Sequence, residues 1–394
     1  MKAWQLSLIA AATASSGAYA VSPDGIAMGS GVTFYPSVEL SIKDDSNVYL
    51  QSSGNEDSSV VTRLRPNASV VADLGATNLT GYAQVESGSY DLDSDDNYLD
   101  TLLMGSAAVE LSSRQSLNFD AKLNMAHDPR GTGSTQGAAA SSVTKPNEYD
   151  ETDLNAAYTY GADSAFANVT GYVGSYGKEY SNNAASTDVL NHDKIKFGAK
   201  LGLKVSSATR VLFEARNTTI SYSDSAAAAK EGSELKLLVG ASYDVTGKTT
   251  AELLVGNSKR EFDESTNSSD SRFSWEGKLT WNPVTYSTVS VTTAQSANET
   301  TAGGSYTANQ TTTVNWNHQF SNYWSMNATA GLSKDDYVGI DRSDKNTNLG
   351  LTGIYSPTKN VDVKASLDKA KRSSTSDALD YDQHVIGVAV ELAF

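Results

Sequence analysis

The sequence predicts an all-β fold, a transmembrane antiparallel β-barrel of about 18 strands. Three observations predict it: apolar side chains recur with a period of two up to the last residue, polar and charged side chains occupy the opposite stripe of the same segments, and the connections alternate between tight and long. Beyond the first 20 residues no apolar run approaches the roughly 18 residues that a membrane helix needs, so a helical membrane protein is excluded. A strand barrel is not excluded, because its strands need an apolar residue only at every second position.

The elements follow in order. Met1 and Lys2 give a positive start, Leu6 to Ala12 a short apolar core, and Ala18-Tyr19-Ala20 a small-x-small cleavage pattern, so residues 1–20 read as a signal peptide for export. Residues 21–30 read as a short periplasmic lead and 31–394 as one barrel domain. Leu64, Pro66, Ala68, Val70, Ala72 and Leu74 alternate with Arg63, Arg65, Asn67, Ser69, Val71 and Asp73. Leu117 to Met125 and Ile195 to Leu203 repeat the pattern, as do Thr209 to Arg216, Phe273 to Trp281 and Trp324 to Leu332. The chain ends with Ile386, Val388, Val390, Leu392 and Phe394 opposed to Gly387, Ala389, Glu391 and Ala393. The segments centre near residues 37, 67, 83, 105, 120, 155, 169, 200, 213, 239, 253, 277, 291, 314, 328, 351, 365 and 388.

Tight turns are expected at Gly75-Ala76-Thr77, Ser112-Ser113, Gly161-Ala162-Asp163, Val245-Thr246-Gly247, Asn282-Pro283 and Ser356-Pro357-Thr358. Long polar connections are expected at 43–58, 90–96, 127–147, 177–191, 258–270, 294–308, 334–346 and 371–380, and the one at 127–147 is a candidate lumen plug. Trp281, Tyr286, Phe320, Tyr323, Trp324 and Tyr355 flank tight turns, where aromatic rings would form a girdle at the headgroup level. A soluble sandwich seldom sustains so many long hairpins, and a solenoid would show a shorter regular repeat.

Composition narrows the function classes. The 46 acidic and 30 basic residues leave a formal charge of −16, which disfavours nucleic acid as a partner. With no cysteine there is no disulfide, thiolate metal site or cysteine nucleophile, and four scattered histidines offer little for a metal or a triad. No cofactor, metal site or catalytic residue is expected, and the chain does not read as an enzyme. Much of the acid lies in the long connections, as in Asp91, Asp93, Asp95 and Asp96, whose spacing lacks the glycine and glutamate of a calcium loop.

A barrel of this size can leave an aqueous channel. The pore-lining candidates are the charged residues of the polar stripes: Arg63, Arg65, Glu86, Glu110, Lys122, Lys200, Arg210, Glu214, Arg216, Glu252, Glu276 and Glu391. They imply a charge-lined, water-filled lumen that passes sugars or polysaccharide; the alternative is a plugged structural or surface-binding barrel without transport. The Asp44-Asp45-Ser46-Asn47-Val48-Tyr49-Leu50 segment, the Val60-Val61-Thr62-Arg63-Leu64-Arg65-Pro66 strand, the Tyr355-Ser356-Pro357-Thr358 turn and the terminal Phe394 resemble the β-barrel porin type 2 family, barrels associated with exopolysaccharide or capsule export. The resemblance implies location in the outer membrane of a Gram-negative cell, contact with its lipid and lipopolysaccharide, and periplasmic export components as partners. It implies outward passage of polysaccharide and recognition of Phe394 by the barrel-insertion machinery.

Overall fold

The computed structural model describes residues 23–244, 247–264 and 267–394. The expected signal peptide and its cleavage point lie outside the described residues, as do Val245 and Thr246 of one expected turn. Eighteen strands form the wall. The first five are β2 (Val32–Asp45), β3 (Ser59–Asp73), β4 (Thr77–Tyr90), β5 (Tyr98–Ser112) and β6 (Gln115–Asp128). Next come β7 (Asn147–Tyr160), β8 (Ala167–Tyr180), β9 (His192–Lys204), β10 (Thr209–Tyr222), β11 (Gly232–Asp244) and β12 (Thr249–Phe262). The last seven are β13 (Asp270–Val284), β14 (Ser287–Asn298), β15 (Tyr306–Gln319), β16 (Trp324–Val338), β17 (Arg342–Thr358), β18 (Val361–Ser374) and β19 (Tyr381–Ala393). A short β1 (Ile26–Gly29) precedes them, in the segment read as a lead, and folds back on β2 with Ile26 opposite Phe34.

Neighbours in the chain are antiparallel neighbours in the sheet, and β19 pairs with β2 from Val385↔Asp45 to Ala393↔Ser37. That last ladder closes the cylinder and leaves no exposed edge along the wall. Every expected strand centre falls inside one of the eighteen strands.

Three corrections concern connections. The expected loop at 334–346 is mostly strand, since β16 runs to Val338 and β17 starts at Arg342; β12 likewise runs to Phe262. Apolar alternation stops where hydrocarbon stops, whereas backbone pairing can continue into water with polar side chains. A further connection, residues 223–231, was absent from the expected set. The Pro283 and Pro357 positions are not turn tips: each lies in a strand end where the register shifts, between Trp281 and Val284 and between Tyr355 and Thr358. Proline cannot donate to the ladder, so it sits at a bulge and the true turns follow it.

The outward stripe is apolar and exposed, with Leu40, Ile42, Leu237, Leu253, Ile386 and Val388 each about half accessible. Trp281, Tyr286, Phe320, Tyr323, Trp324 and Tyr355 are exposed together around the tight-turn end, with the Trp324 and Tyr355 rings 4.7 Å apart. Water would leave this band poorly solvated, whereas hydrocarbon and the headgroup level suit it.

Candidate functional site

The inward face is identified by bonds that skip strands. Arg216 on β10 reaches Glu276 on β13, with Nη1 to Oε1 at 2.9 Å and Nη2 to Oε2 at 3.1 Å. Lys200 on β9 reaches Glu252 on β12 at 2.7 Å, and Lys364 on β18 reaches Glu39 on β2 at 2.8 Å. In a closed convex sheet, side chains of strands that are not neighbours converge only on the concave side.

The candidate residues fall into groups. At the closure seam, Lys364 Nζ lies 2.6 Å from Glu391 and also bonds Glu39, which in turn accepts from Arg65. Arg65 and Arg63 both approach Glu86, at 3.6 and 3.8 Å, and Tyr98 donates to Glu86 at 2.6 Å. Lys122 donates to Glu151 at 2.6 Å. Around Arg216, Glu214 accepts from both the guanidinium and the Tyr172 hydroxyl at 2.5 Å, while Lys236 lies 3.5 Å from Glu276. Two candidates stand apart: Arg210 donates to the Asp163 carbonyl at 2.7 Å, near the tight turns, and Glu110 is exposed beside the turn after β5. Apart from Arg210, which donates to backbone carbonyls, each candidate cation lies against at least one carboxylate.

Glu39 and Glu151 were missed in the sequence; in the ladder Glu39 stands opposite Arg65, and Glu151 stands opposite Asn124, diagonal to Lys122. The polar stripe also holds an apolar patch. Leu212, Leu238 and Leu254, on the same face as Glu214, are all but fully buried against one another. Gly240 and Gly256 interleave with them in the ladder, and a Cβ on Gly240 would stand 1.8 Å from the Leu253 carbonyl oxygen. Close strand approach packs this stretch of the lumen dry, where the sequence pattern implied water.

Sequence periodicity says nothing about where the loops go, and two of them fold inward across the mouth. The connection 129–146 is tied at its start by Arg130: Nε donates to Asp96 at 2.6 Å and Nη2 to Asp93 at 2.5 Å and to the Tyr49 hydroxyl at 2.6 Å. The hydrogen bond to Asp96 leads in holding the Arg130 guanidinium charged beyond its ordinary range, against the opposing effect of burial. Gly131, at φ +90, packs so close that a Cβ would meet the Tyr49 carbonyl oxygen at 1.9 Å. Farther along, Gln136 accepts from Arg342 of β17 at 2.6 Å and Gly137 faces Leu379 of the β18–β19 connection. These partners lie well around the wall from β6 and β7, so the segment spans part of the opening.

The connection 299–305 does the same from the other side. Glu299 accepts from Tyr222 of β10 at 2.5 Å and from Arg260 of β12 at 3.3 Å, with Lys194 of β9 at 3.5 Å. Burial would raise the Glu299 carboxyl, but the charges of Lys194 and Arg260 hold it below its usual value. Among the described residues no group of three or more His, Asp or Glu side chains is placed to hold a metal ion.

A closed antiparallel barrel with an apolar outer band and an ion-paired, loop-covered lumen defines a porin-like β-barrel. The chain belongs to the family described as "Putative beta-barrel porin 2", whose pattern matches residues 19–394. No curated protein matches it. Among solved structures it is similar to OccK1 (OpdK) of Pseudomonas aeruginosa, at 11% identity over 92% of this chain and 99% of that one, TM-score 0.48. It is also similar to OccAB3 of Acinetobacter baumannii, at 9% identity over 92% and 99%, TM-score 0.47. The FrpB iron transporter of Neisseria meningitidis (F5-1 variant) matches at 12% identity over 87% of this chain, TM-score 0.45, and the chain spans only 64% of that protein.

Proposed function

We propose that the protein is an outer-membrane channel for small hydrophilic solutes such as sugars, with a charge-lined lumen narrowed at its mouth by inward loops. The single observation that carries this reading is the inward face itself: ion pairs linking strands two and three places apart, within a wall whose outside is apolar. Charged side chains at that density need water or each other, and a solute path beside them is polar. The apolar band and the aromatic end support the membrane location. The segment 129–146 would then lie on the extracellular side, opposite the tight turns.

Passage of a polysaccharide, which the family resemblance implies, is the wider form of the same reading and requires segment 129–146 to leave the mouth. A plugged barrel is the second reading, favoured by the Arg130 latch onto Asp93, Asp96 and Tyr49. Purified protein in a planar bilayer decides between them. A steady conductance in the wild type that rises in Arg130→Ala supports a narrowed channel. No conductance in the wild type and a channel in Arg130→Ala supports the plug, and silence in both overturns transport.

A further inference from the structure

Beside Glu299 lies a cavity of about 220 Å³ whose lining includes Lys194, Lys196, Lys236, Arg260, Tyr176 and Glu299. Three of its features do not fit a mere packing gap. First, Glu299 comes from the β14–β15 connection, two to five strands along the wall, yet sits among donors of β9, β10 and β12, nearly inaccessible to solvent. Second, its carboxylate is shared by two cations: Arg260 Nη1 and Nη2 both approach at 3.3 Å, and Lys194 at 3.5 Å, distances longer than a tight charge-assisted bond. Arg260 Nε is buried with no acceptor at all. Third, Lys196 is half-buried in the cavity wall and makes no hydrogen bond or ion pair among the described residues.

Arg260 Nη2 also donates to the Lys230 carbonyl at 2.9 Å, and the remaining donors still outnumber what the one carboxylate can satisfy. Arg216 and Lys236 are engaged by Glu214, Glu234 and Glu276 on the far side of the cavity, and Asp153 is held by the Asn155 amide at 2.7 Å. We infer that this cavity is a small-oxyanion subsite in the lumen, in which Lys196 supplies the open donor and the Glu299 carboxylate stands as a tethered occupant of the Lys194, Tyr222 and Arg260 donors. A free carboxylate or phosphate competes with Glu299 for the same hydrogen bonds and gains Lys196 as well. When it binds, the connection 299–305 releases its carboxylate toward the mouth. The subsite adds a preference for small anions to the channel reading, and it rests on that reading only for access from solvent.

The test is equilibrium binding to the full-length protein in detergent, so a silent bilayer would sink the channel reading and leave this one standing. Inorganic phosphate and acetate are titrated by calorimetry, with glycerol as the neutral control. Phosphate or acetate, and not glycerol, is expected to bind the wild type in the millimolar range, and the relative affinities of the two anions show which oxyanion is preferred. Glu299→Gln is expected to tighten binding roughly tenfold, because an internal competitor is removed, and Lys196→Gln to weaken it by a similar factor. Folding of each variant is checked by the heat-dependent shift in gel mobility that closed barrels show. Should Glu299→Gln not fold, wild type against Lys196→Gln still decides: loss of binding in Lys196→Gln supports the subsite. Equal binding in the two, or no anion binding in either, overturns it.

Discussion

Two stretches of the inner wall solve the same problem differently. From β18 through β19 to β4, and again from β9 to β13, the lumen is lined by ion pairs, several of which bridge strands that are not neighbours. From β14 to β17, apart from Asp335 and the Arg342–Asp344 pair near the long-loop end, it is lined by amides and hydroxyls whose bonds run within a strand or to an adjacent one. Asn327 donates to Asn317 at 2.7 Å, Thr329 to Asn315 at 2.8 Å and Asn346 to Ser333 at 3.1 Å. The difference teaches where rigidity and exchange reside. A charge pair in a low-dielectric wall is expensive to separate, whereas a neutral amide can trade its partner for water or a solute hydroxyl at little net change. The charged stretches brace the cylinder, and the amide stretch is the face along which a neutral solute can move by exchanging hydrogen bonds.

The sharpest way to break this comparison is at the closure seam. Lys364 joins β18 to β2 across β19 by bonding both Glu39 and Glu391, and all three side chains are largely shielded. Lys364→Met leaves two shielded carboxylates with one cation fewer, and should cost about 3 kcal/mol of barrel stability. Urea unfolding from lipid vesicles measures it, with Lys364→Arg as the milder control. The matching change on the other wall, Asn327→Ala, removes neutral bonds that water can replace and should cost about 1 kcal/mol or less. Equal losses at the two sites would abolish the distinction.

A conductance measurement sharpens it from the other side. Asn327→Trp adds bulk to the amide wall without touching an ion pair, and should reduce single-channel conductance by a larger fraction than it reduces stability. If Asn327→Trp conducts like the wild type, the solute path does not follow β14 to β17.

How much of this could be read in the sequence depends on what each part of the wall faces. The strands were legible because hydrocarbon on one side and polar surroundings on the other impose a period of two, as Ile386 to Phe394 against Gly387 to Ala393 shows. Strand ends at the long-loop side were not, because β16 and β17 continue as Lys334, Asp336 and Arg342, where both faces are polar and the alternation vanishes. The charged wall was largely legible from parity; the amide wall was not singled out, since Asn315, Asn317 and Asn327 carry no charge to mark them. Leu212 shows the limit of parity, because the stripe that holds Glu214 also holds a dry contact. Arg130 and Glu299 had no local signal: their partners lie 34 and 39 or more positions away, and only the closed cylinder brings them together.

Acid should separate the two walls by a smaller effect, through Glu299. Burial pushes its carboxyl upward and the Lys194 and Arg260 charges more than offset that, so its folded value lies below the 4.5 expected for an unconstrained glutamate. A carboxyl depressed on folding contributes stability that is whole above the unfolded value and is lost as the pH falls through the folded value. The stability gap between wild type and Glu299→Gln should therefore hold level from pH 8 down to the ordinary glutamate range and narrow only below it. The gap between wild type and Asn327→Ala, which involves no titrating group, should not change across the same range. A Glu299→Gln gap that narrows already above pH 6 would mean that the carboxyl is raised, and that desolvation outweighs Lys194 and Arg260 at the head of the connection.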